Sequence, residues 1–481
     1  MNLKMVFNTT GRILTIESAL LVPAMIVSMI YGEKTSVFAF AVTIIAALSA
    51  GILISALTKT SNHIIYAKEG FATVALAWLG MSAFGALPFV ISGQIPSYTD
   101  AFFETVSGFT TTGASILTDV EALSRGMLFW RSFTHWVGGM GVLVFVMALI
   151  PNISDRSIHI MRAEMPGPVV GKLMPRLKDT AKILYLIYIV LTVAEAGLLF
   201  IGGLDIYECL VYAFGTAGTG GFGIKADSLA GYSPYIQWVI TIFMLIFGIN
   251  FNLYYLMLIH RAKTAFKSTE LWCYIGIVIT ATVLIAANIG GMYETLSETI
   301  RHSAFQTASI ITTTGFATAD FNLWPEFSKT VLLILMFIGG CAGSTSGGLK
   351  VSRVMLLFKT IGSEIKRLLH PRAVSSVRFE GKPAEITTIS GVCIYFALYM
   401  VCTFVIFLLL SFENFGMETN FSAAVSCFNN IGPGFAEVGP MSGYAAYSPF
   451  SKIVLSAAML LGRLEIYPLL LVFLPSTWTK R

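Results

Sequence analysis

Phe103-Glu-Thr-Val-Ser-Gly-Phe-Thr-Thr-Thr-Gly113 and Phe305-Gln-Thr-Ala-Ser-Ile-Ile-Thr-Thr-Thr-Gly315 align without a gap, sharing the phenylalanine, a threonine, a serine and the whole Thr-Thr-Thr-Gly string. A weaker copy, Phe214-Gly-Thr-Ala-Gly-Thr-Gly-Gly221, places Gly221 in register. Val425-Ser-Cys-Phe-Asn-Asn-Ile-Gly432 repeats the Val-Ser-x-Phe spacing of Val106 to Phe109. The four glycines recur at roughly hundred-residue intervals, a period that marks internal repetition of one structural unit. Each lies between two long apolar runs and follows a stretch too short to cross a bilayer. The unit is therefore span, half-helix, glycine string, span.

The rest of the chain agrees with a membrane setting. Of 481 residues, 56% are hydrophobic and only 12% charged, and mean hydropathy is +0.77, whereas soluble domains carry about 25% charge. Candidate spans run over 12–31, 36–57, 71–92, 127–150, 181–203, 235–259, 271–289, 329–358, 386–411 and 449–474, each near the roughly 20 residues that cross a bilayer as a helix. The run from Ile13 to Ile30 is long for a secretory leader and no small-residue cleavage site follows it, so it is read as a retained span. The expected fold is an all-α integral membrane protein. It has four tandem M1-P-M2 channel-like repeats in pseudo-fourfold arrangement around one pore, plus two extra N-terminal transmembrane helices. The divisions are 1–66 for those two helices, 67–178 for repeat 1, 179–268 for repeat 2, 269–382 for repeat 3 with a broken second helix, and 383–481 for repeat 4.

Charge sets the orientation. Lys59 and Lys68, then Arg156, Arg162, Lys172, Arg176 and Lys178, then Arg261, Lys263 and Lys267, then Lys359, Lys366, Arg367, Arg372, Arg378 and Lys382 fall in alternate connections. The positive-inside rule makes these cytoplasmic, with both termini on that side. The intervening connections hold Asp100, Glu104, Asp205, Glu208, Glu298, Glu437 and other acids. An acidic outer face gathers cations, though acidic loops are also simply soluble loops. Units that begin and end on one side are parallel copies, which suits a ring better than an inverted-repeat carrier. Close packing of spans by small residues is the alternative for any single string.

A potassium ion enters a narrow pore when protein oxygens replace its water, and a ring of backbone carbonyls does so without fixed charge on the path. Threonine adds a hydroxyl to its carbonyl, and glycine permits the backbone angles that turn successive carbonyls inward. The preceding half-helices would aim their partly negative C-terminal ends at the same axis. The candidate filter is thus Thr110, Thr111, Thr112 and Gly113; Thr219, Gly220 and Gly221; Thr312, Thr313, Thr314 and Gly315; and Asn430, Ile431 and Gly432. The second and fourth strings depart from Thr-Thr-Gly, so the ring is asymmetric, and fewer matched oxygens should weaken selectivity over sodium.

Four imperfect strings of this kind in one chain resemble the Trk/Ktr/HKT superfamily of potassium transporters, over nearly the whole length. The two extra N-terminal spans point to its TrkH/TrkG-type branch, as do Arg162-Ala-Glu-Met-Pro-Gly-Pro168, Gly339-Gly-Cys-Ala-Gly-Ser-Thr345, His370-Pro-Arg-Ala373, Asn429-Asn-Ile-Gly-Pro-Gly434 and Gly462-Arg-Leu-Glu465. The resemblance implies potassium uptake across the bacterial inner membrane, with potassium held at the filter carbonyls and Gly113, Gly221, Gly315 and Gly432 as selectivity positions. It also implies a homodimer docked on a cytosolic TrkA-like ring that binds ATP, ADP or NAD(H), leaving no nucleotide bound by this chain. The basic stretches 156–178 and 359–382 would meet that ring or anionic lipid, although positive-inside topology explains much of their charge. No role with nucleic acid is expected.

Two candidate gates lie below the filter. Gly339, Gly340, Gly343, Ser344, Thr345, Gly347 and Gly348 interrupt the span 329–358, at a cost of about 1 kcal/mol of helix stability per glycine. Two helices joined by an intramembrane loop are expected, and the resembling family has an obstructing loop at this place; a close-packed small-residue contact is the alternative. Arg463 lies inside the last span, where an arginine needs water or a partner. Facing the path it would repel cations; otherwise it pairs with a carboxylate such as Glu195, Glu465 being two residues away and off its face.

An ion-coupled symporter using Glu195 or Glu437 as a proton or sodium site is the rival reading, and a non-conducting receptor is a third. No Walker A string or catalytic triad appears, the glycine run 215–223 lacks a βαβ context, and no enzyme is expected. The six cysteines form no CxxC pair and read as small core residues.

Overall fold

Backbone polar groups at membrane depth must be satisfied within the protein, so long apolar runs become helices and irregular backbone survives only where protein encloses it. The computed structural model describes residues 2–60, 67–139, 141, 177–371 and 376–478. Among them, six helices are long and apolar enough to cross a membrane, and a seventh span is broken by a sharp bend. Outward-facing side chains such as Phe38, Ile45, Val193, Val283 and Leu408 are exposed and apolar, as a hydrocarbon surround requires.

Leu3–Leu20 runs into Val22–Ile30, and Lys34–Leu57 packs back against it. Gly11 and Gly51 set the closeness of that contact: a methyl group added to Gly11 would sit 2.9 Å from the Gly51 carbonyl oxygen. This is the small-residue route by which membrane helices pack.

Four units follow. The first is Ala67–Gly85 with Leu87–Ile91, the half-helix Tyr98–Phe109 and Arg125–Gly139. In the second, Leu177–Ile201 and the half-helix Ile206–Gly218 precede Pro234–Phe247 and Phe251–Leu258. The third holds Thr269–Ile289, the half-helix Leu296–Ile311, Glu326–Ile338 and Val351–Leu369. The fourth is built from Ile386–Leu410, the half-helix Met417–Phe428, Pro449–Arg463 and Tyr467–Phe473. Each half-helix packs against the second helix of the preceding unit, and the first half-helix against Pro449–Arg463 of the fourth. Neighbour follows neighbour around a closed circle.

The half-helices start where the sequence caps them. Ser97, Asp205 and Thr295 accept hydrogen bonds from the backbone N–H of Asp100, Glu208 and Glu298. An acid three residues after the cap is the capping-box arrangement and also complements the helix dipole. Asp205 thus starts a helix with its own side chain, and Asp100, Glu208 and Glu298 sit in first turns.

Two expectations about spans are amended. The run 235–259 is not one straight helix but bends by 89° between Phe247 and Phe251, because Asn250 accepts from Asn252 N–H and starts a new helix. The Gly248 carbonyl freed by that elbow accepts from Cys341 N–H at 2.9 Å, and Phe251 N–H donates to the Gly343 carbonyl at 3.0 Å. Arg463 does not lie inside a continuous span: its helix ends there, Glu465 and Ile466 take left-handed angles (φ 60° and 63°) and a short helix restarts at Tyr467. The span 127–150 is followed only to Gly139 and Gly141. Arg156, Arg162, Lys172, Arg176, the motif 162–168 and residues 372–373 lie outside the described residues.

Candidate functional site

The four half-helices converge, and each passes into its string through the same backbone path. Thr111, Thr219, Thr313 and Asn430 have φ of 54°, 55°, 56° and 56°, and the glycine two residues on has φ of 80°, 79°, 87° and 103°. A non-glycine residue in the left-handed region costs about 1–2 kcal/mol, and at all four equivalent positions it closes the half-helix in a Schellman-type end. The intervening N–H turns back on its own half-helix each time: Thr112 to the Ser107 carbonyl, Gly220 to Gly215, Thr314 to Ser309 and Ile431 to Ser426, at 2.8, 2.8, 2.8 and 3.0 Å. These donors are spent within each half-helix, so none of them is offered to a neighbouring string.

The strings close on one another. A methyl group placed on Gly113 would overlap the Gly220 carbonyl oxygen; one on Gly221 that of Thr314; one on Gly315 that of Ile431; and one on Gly432 that of Thr112, at 2.7 Å. Every joint of the ring is thus a glycine against a neighbour's carbonyl. All fourteen candidate filter residues are brought together.

The departures from Thr-Thr-Gly have local compensation. In strings one and three a hydroxyl pair, Thr110 with Thr112 and Thr312 with Thr314, closes at 2.8 Å. In string two, Gly220 leaves room that the buried ring of His135 fills, and Gly218 lies against the backbone carbonyl of the same histidine. Its Nδ1 lies 2.7 Å from the Gly108 carbonyl and its Nε2 accepts from Phe222 N–H at 3.3 Å, a pairing that matches the neutral Nδ1–H tautomer. In string four, Tyr399 donates to Asn429 Oδ1 at 2.9 Å, while Asn430 Nδ2 reaches Thr112 Oγ1 at 3.0 Å and the Met459 carbonyl at 2.9 Å. Asn430 thereby ties the last string to the first.

Above the glycines lies a cavity of about 410 Å³ lined by Gly113, Gly221, Gly315 and Gly432 and edged by Arg131, Lys225 and Glu437. Arg131 is buried and paired with Glu104 at 2.5 Å, donates to the Gly223 carbonyl at 3.1 Å and covers the Phe222 ring at 3.4 Å. Glu104 also accepts from Ser115 Oγ and Ile116 N–H, each at 3.0 Å, so one ion pair fixes the exits of the first two strings. Tyr444 fixes the joint between fourth and first: its hydroxyl donates to the Gly432 carbonyl and its N–H to the Ser115 carbonyl, both at 2.8 Å.

On the other side sits the glycine-rich break. Glu326–Ile338 ends at Gly339, and the next helix starts at Val351. Gly347 N–H donates to Thr313 Oγ1 at 2.6 Å, placing the segment directly against the third string. Arg463 donates to the Thr345 carbonyl at 2.9 Å and to the Gly138 and Gly139 carbonyls at 2.5 and 2.7 Å. Glu465 instead pairs with Arg353, whose Nη1 lies 3.0 Å from Oε1. Gly339, Gly340, Gly343, Ser344, Thr345, Gly347, Gly348 and Arg463 therefore belong to one assembly beneath the strings.

Residues that sequence reasoning passed over include Lys350, buried with its ammonium on the Ser346 carbonyl, and Glu270, whose carboxylate accepts from Ala342 and Ser352 N–H. A lysine immediately after the glycine run was the available signal for the first. For Arg131, His135 and Tyr444 no local pattern distinguishes a filter support from an ordinary core residue.

The family model for TrkH, described as a cation transport protein, matches residues 36–480. The Trk system potassium uptake protein TrkH of Salmonella typhimurium is 36% identical over the full length of both chains. The corresponding protein TrkG of Escherichia coli is 32% identical, with 99% of each chain covered. The crystal structure of the potassium transporter TrkH from Vibrio parahaemolyticus superposes with a TM-score of 0.89 at 32% identity, covering all of both chains. With the four repeated units and their ring already in view, these matches show that the chain belongs to the TrkH family of cation transport proteins.

Proposed function

We propose that this chain takes up potassium across the bacterial inner membrane through a gated, channel-like pore, with both termini cytoplasmic. The observation that carries the reading is the closed ring in which four strings share one strained backbone path. Such a ring can replace an ion's hydration shell with carbonyl oxygens. The filter is formed by residues 110–113, 219–221, 312–315 and 430–432, the units being divided at 66/67, 178/179, 268/269 and 382/383. Half-helix C-termini facing the ring add partial negative charge, and an inside-negative potential supplies about 2.3 kcal/mol per charge per 100 mV. Residues 339–348 and Arg463 form the gate beneath. The chain works as a homodimer in membrane lipid, regulated by a cytosolic TrkA-like subunit that binds ATP, ADP or NAD(H); potassium is cargo and this chain binds no nucleotide. Its relatives' names as potassium uptake proteins support the cargo.

The test is potassium, rubidium and sodium flux into liposomes holding only the purified chain, with the potential clamped by an independent ionophore. Passive flux of potassium and rubidium down their gradients, with some sodium, is the expected result. A requirement for a second ion's gradient would move the assignment to proton- or sodium-coupled symport, for which Glu195, a fully buried carboxyl beside the Thr216 hydroxyl, is the candidate carrier.

Selectivity provides a finer check. Tyr444→Phe removes the donor that pins the Gly432 carbonyl, a loss worth about 1 kcal/mol. The expected outcome is a fall of roughly fivefold in the potassium-to-sodium permeability ratio, read from reversal potentials, with little change in expression or melting temperature.

A further inference from the structure

The segment under the filter has a hydrogen-bonded connection to the cytoplasmic face, made by two carboxylates. Val351–Leu369 begins at Lys350, which has φ of 80° and supplies no side-chain cap. A helix that starts without a cap leaves backbone N–H groups unsatisfied. The missing acceptor comes from another helix: Glu270 Oε1, almost wholly buried, accepts from Ser352 N–H at 3.2 Å and from Ala342 N–H at 2.7 Å. One oxygen thus holds both ends of the break, and the break reaches the third string through Gly347 and Thr313.

Glu270 is itself held. Arg378–Phe379 and Lys382–Pro383 form a small antiparallel hairpin, and its two loop residues, Glu380 and Gly381, both have positive φ, 48° and 76°. That is the two-residue turn whose twist suits a tight hairpin. It points Glu380 at the start of Thr269–Ile289, where its carboxylate accepts from Ser268 Oγ, Thr269 Oγ1 and Glu270 N–H at 3.1 Å and from Thr269 N–H at 3.3 Å. Lys359 Nζ donates to the Arg378 carbonyl at 3.0 Å, joining the hairpin to Val351–Leu369.

The geometry points to Glu270 and Glu380 as a two-carboxylate latch that holds the break closed under the filter and couples it to the position of the hairpin. Glu380 fixes the N-terminus of the helix that carries Glu270; Glu270 fixes the break. Displacement of the hairpin releases the first bond set and loosens the second. Glu270 is a positioning residue and touches no ion. The latch rests on the reading of residues 339–348 as a gate.

The experiment uses the full-length chain in liposomes, with basal rubidium flux and maleimide labelling of Cys341 as paired readouts in a background whose other five cysteines are serine. Cys341 is buried within the break, so its labelling reports release of the segment independently of conduction. Glu270→Ala and Glu380→Ala are expected to raise both readouts on the order of tenfold, the effect of a lost hydrogen bond to a charged group. Glu270→Gln, which keeps an acceptor oxygen, is expected to stay near the parent. Glu380 is on the surface, so its variant tests the latch should Glu270→Ala fail to fold. A control chain lacking Ser344–Ser346 separates the two ideas. If the control raises flux while Glu270→Ala and Glu380→Ala change neither readout, the latch is overturned and the gate stands. If the control also leaves flux unchanged, the gate reading falls and the latch with it.

Discussion

A Gly315→Ala chain is expected to insert and fold while its potassium flux drops at least about tenfold, and Gly113→Ala should behave alike. Gly315 has φ of 87°, where a side chain costs about 1–2 kcal/mol, and each 1.4 kcal/mol added to a barrier is a factor of ten in rate. The added methyl also overlaps the Ile431 carbonyl oxygen and comes within 3.0 Å of Pro433 Cδ. That carbonyl belongs to the adjoining string, so relief of the clash moves one of the oxygens proposed to coordinate the ion. The measurement is rubidium uptake normalised to monodisperse reconstituted protein. Parent-like flux in both variants would remove the ring from the conduction path.

Arg463→Ala is expected to act in the opposite direction, raising unstimulated flux at least about tenfold. The guanidinium holds the Thr345 carbonyl of the break and the Gly138 and Gly139 carbonyls at the end of the first unit's second helix. Charged hydrogen bonds are worth about 1.5–3 kcal/mol each, so their loss favours any arrangement in which the break moves aside. Its charge also leaves: at about 6 Å from the axis it would oppose a cation by about 3 kcal/mol at an effective dielectric near 20. Arg463→Lys separates the two effects, since an ammonium keeps the charge but lacks the planar fork that spans several carbonyls. A leak in the alanine variant alone assigns the barrier to charge; a leak in both assigns it to the bridge. Single-channel or liposome recordings that show no leak in either would count against a gating role.

The sequence made the membrane class and the repeated unit readable because both rest on long-range patterns: apolar runs of spanning length and four glycines at one spacing. The break at 339–348 was equally readable, since no helix tolerates that glycine density in its interior. The elbow after Phe247 was not, because Phe247-Gly-Ile-Asn-Phe251 continues an apolar run and its only marker is a glycine two residues before a capping asparagine. Thr111 and Thr313 in left-handed conformation run against the preference of a β-branched residue; each is the left-handed residue of a Schellman-type helix end, a place where glycine is the usual signal and threonine gives none. Arg463 was visible as a costly residue, but its partners are carbonyls more than a hundred residues away, which carry no sequence signature. Glu270 and Glu380 were hidden for the same reason: an acid at the start of an apolar helix reads as dipole compensation, and the capped helix begins far along the chain.

Carrying the ring on one polypeptide changes the dosage of a mutation. Where identical subunits build a ring, any replacement in the string arrives in every position at once, and its support must change everywhere together. Here Gly218 and Gly220 needed only one histidine behind them, and Asn429 only one tyrosine. Each quarter can therefore change alone while its three neighbours keep their own residues. The unequal strings give the ring a distinguishable orientation about its axis, and the break beneath it sits against the third string through Thr313 and against the fourth through Asn429 and Asn430.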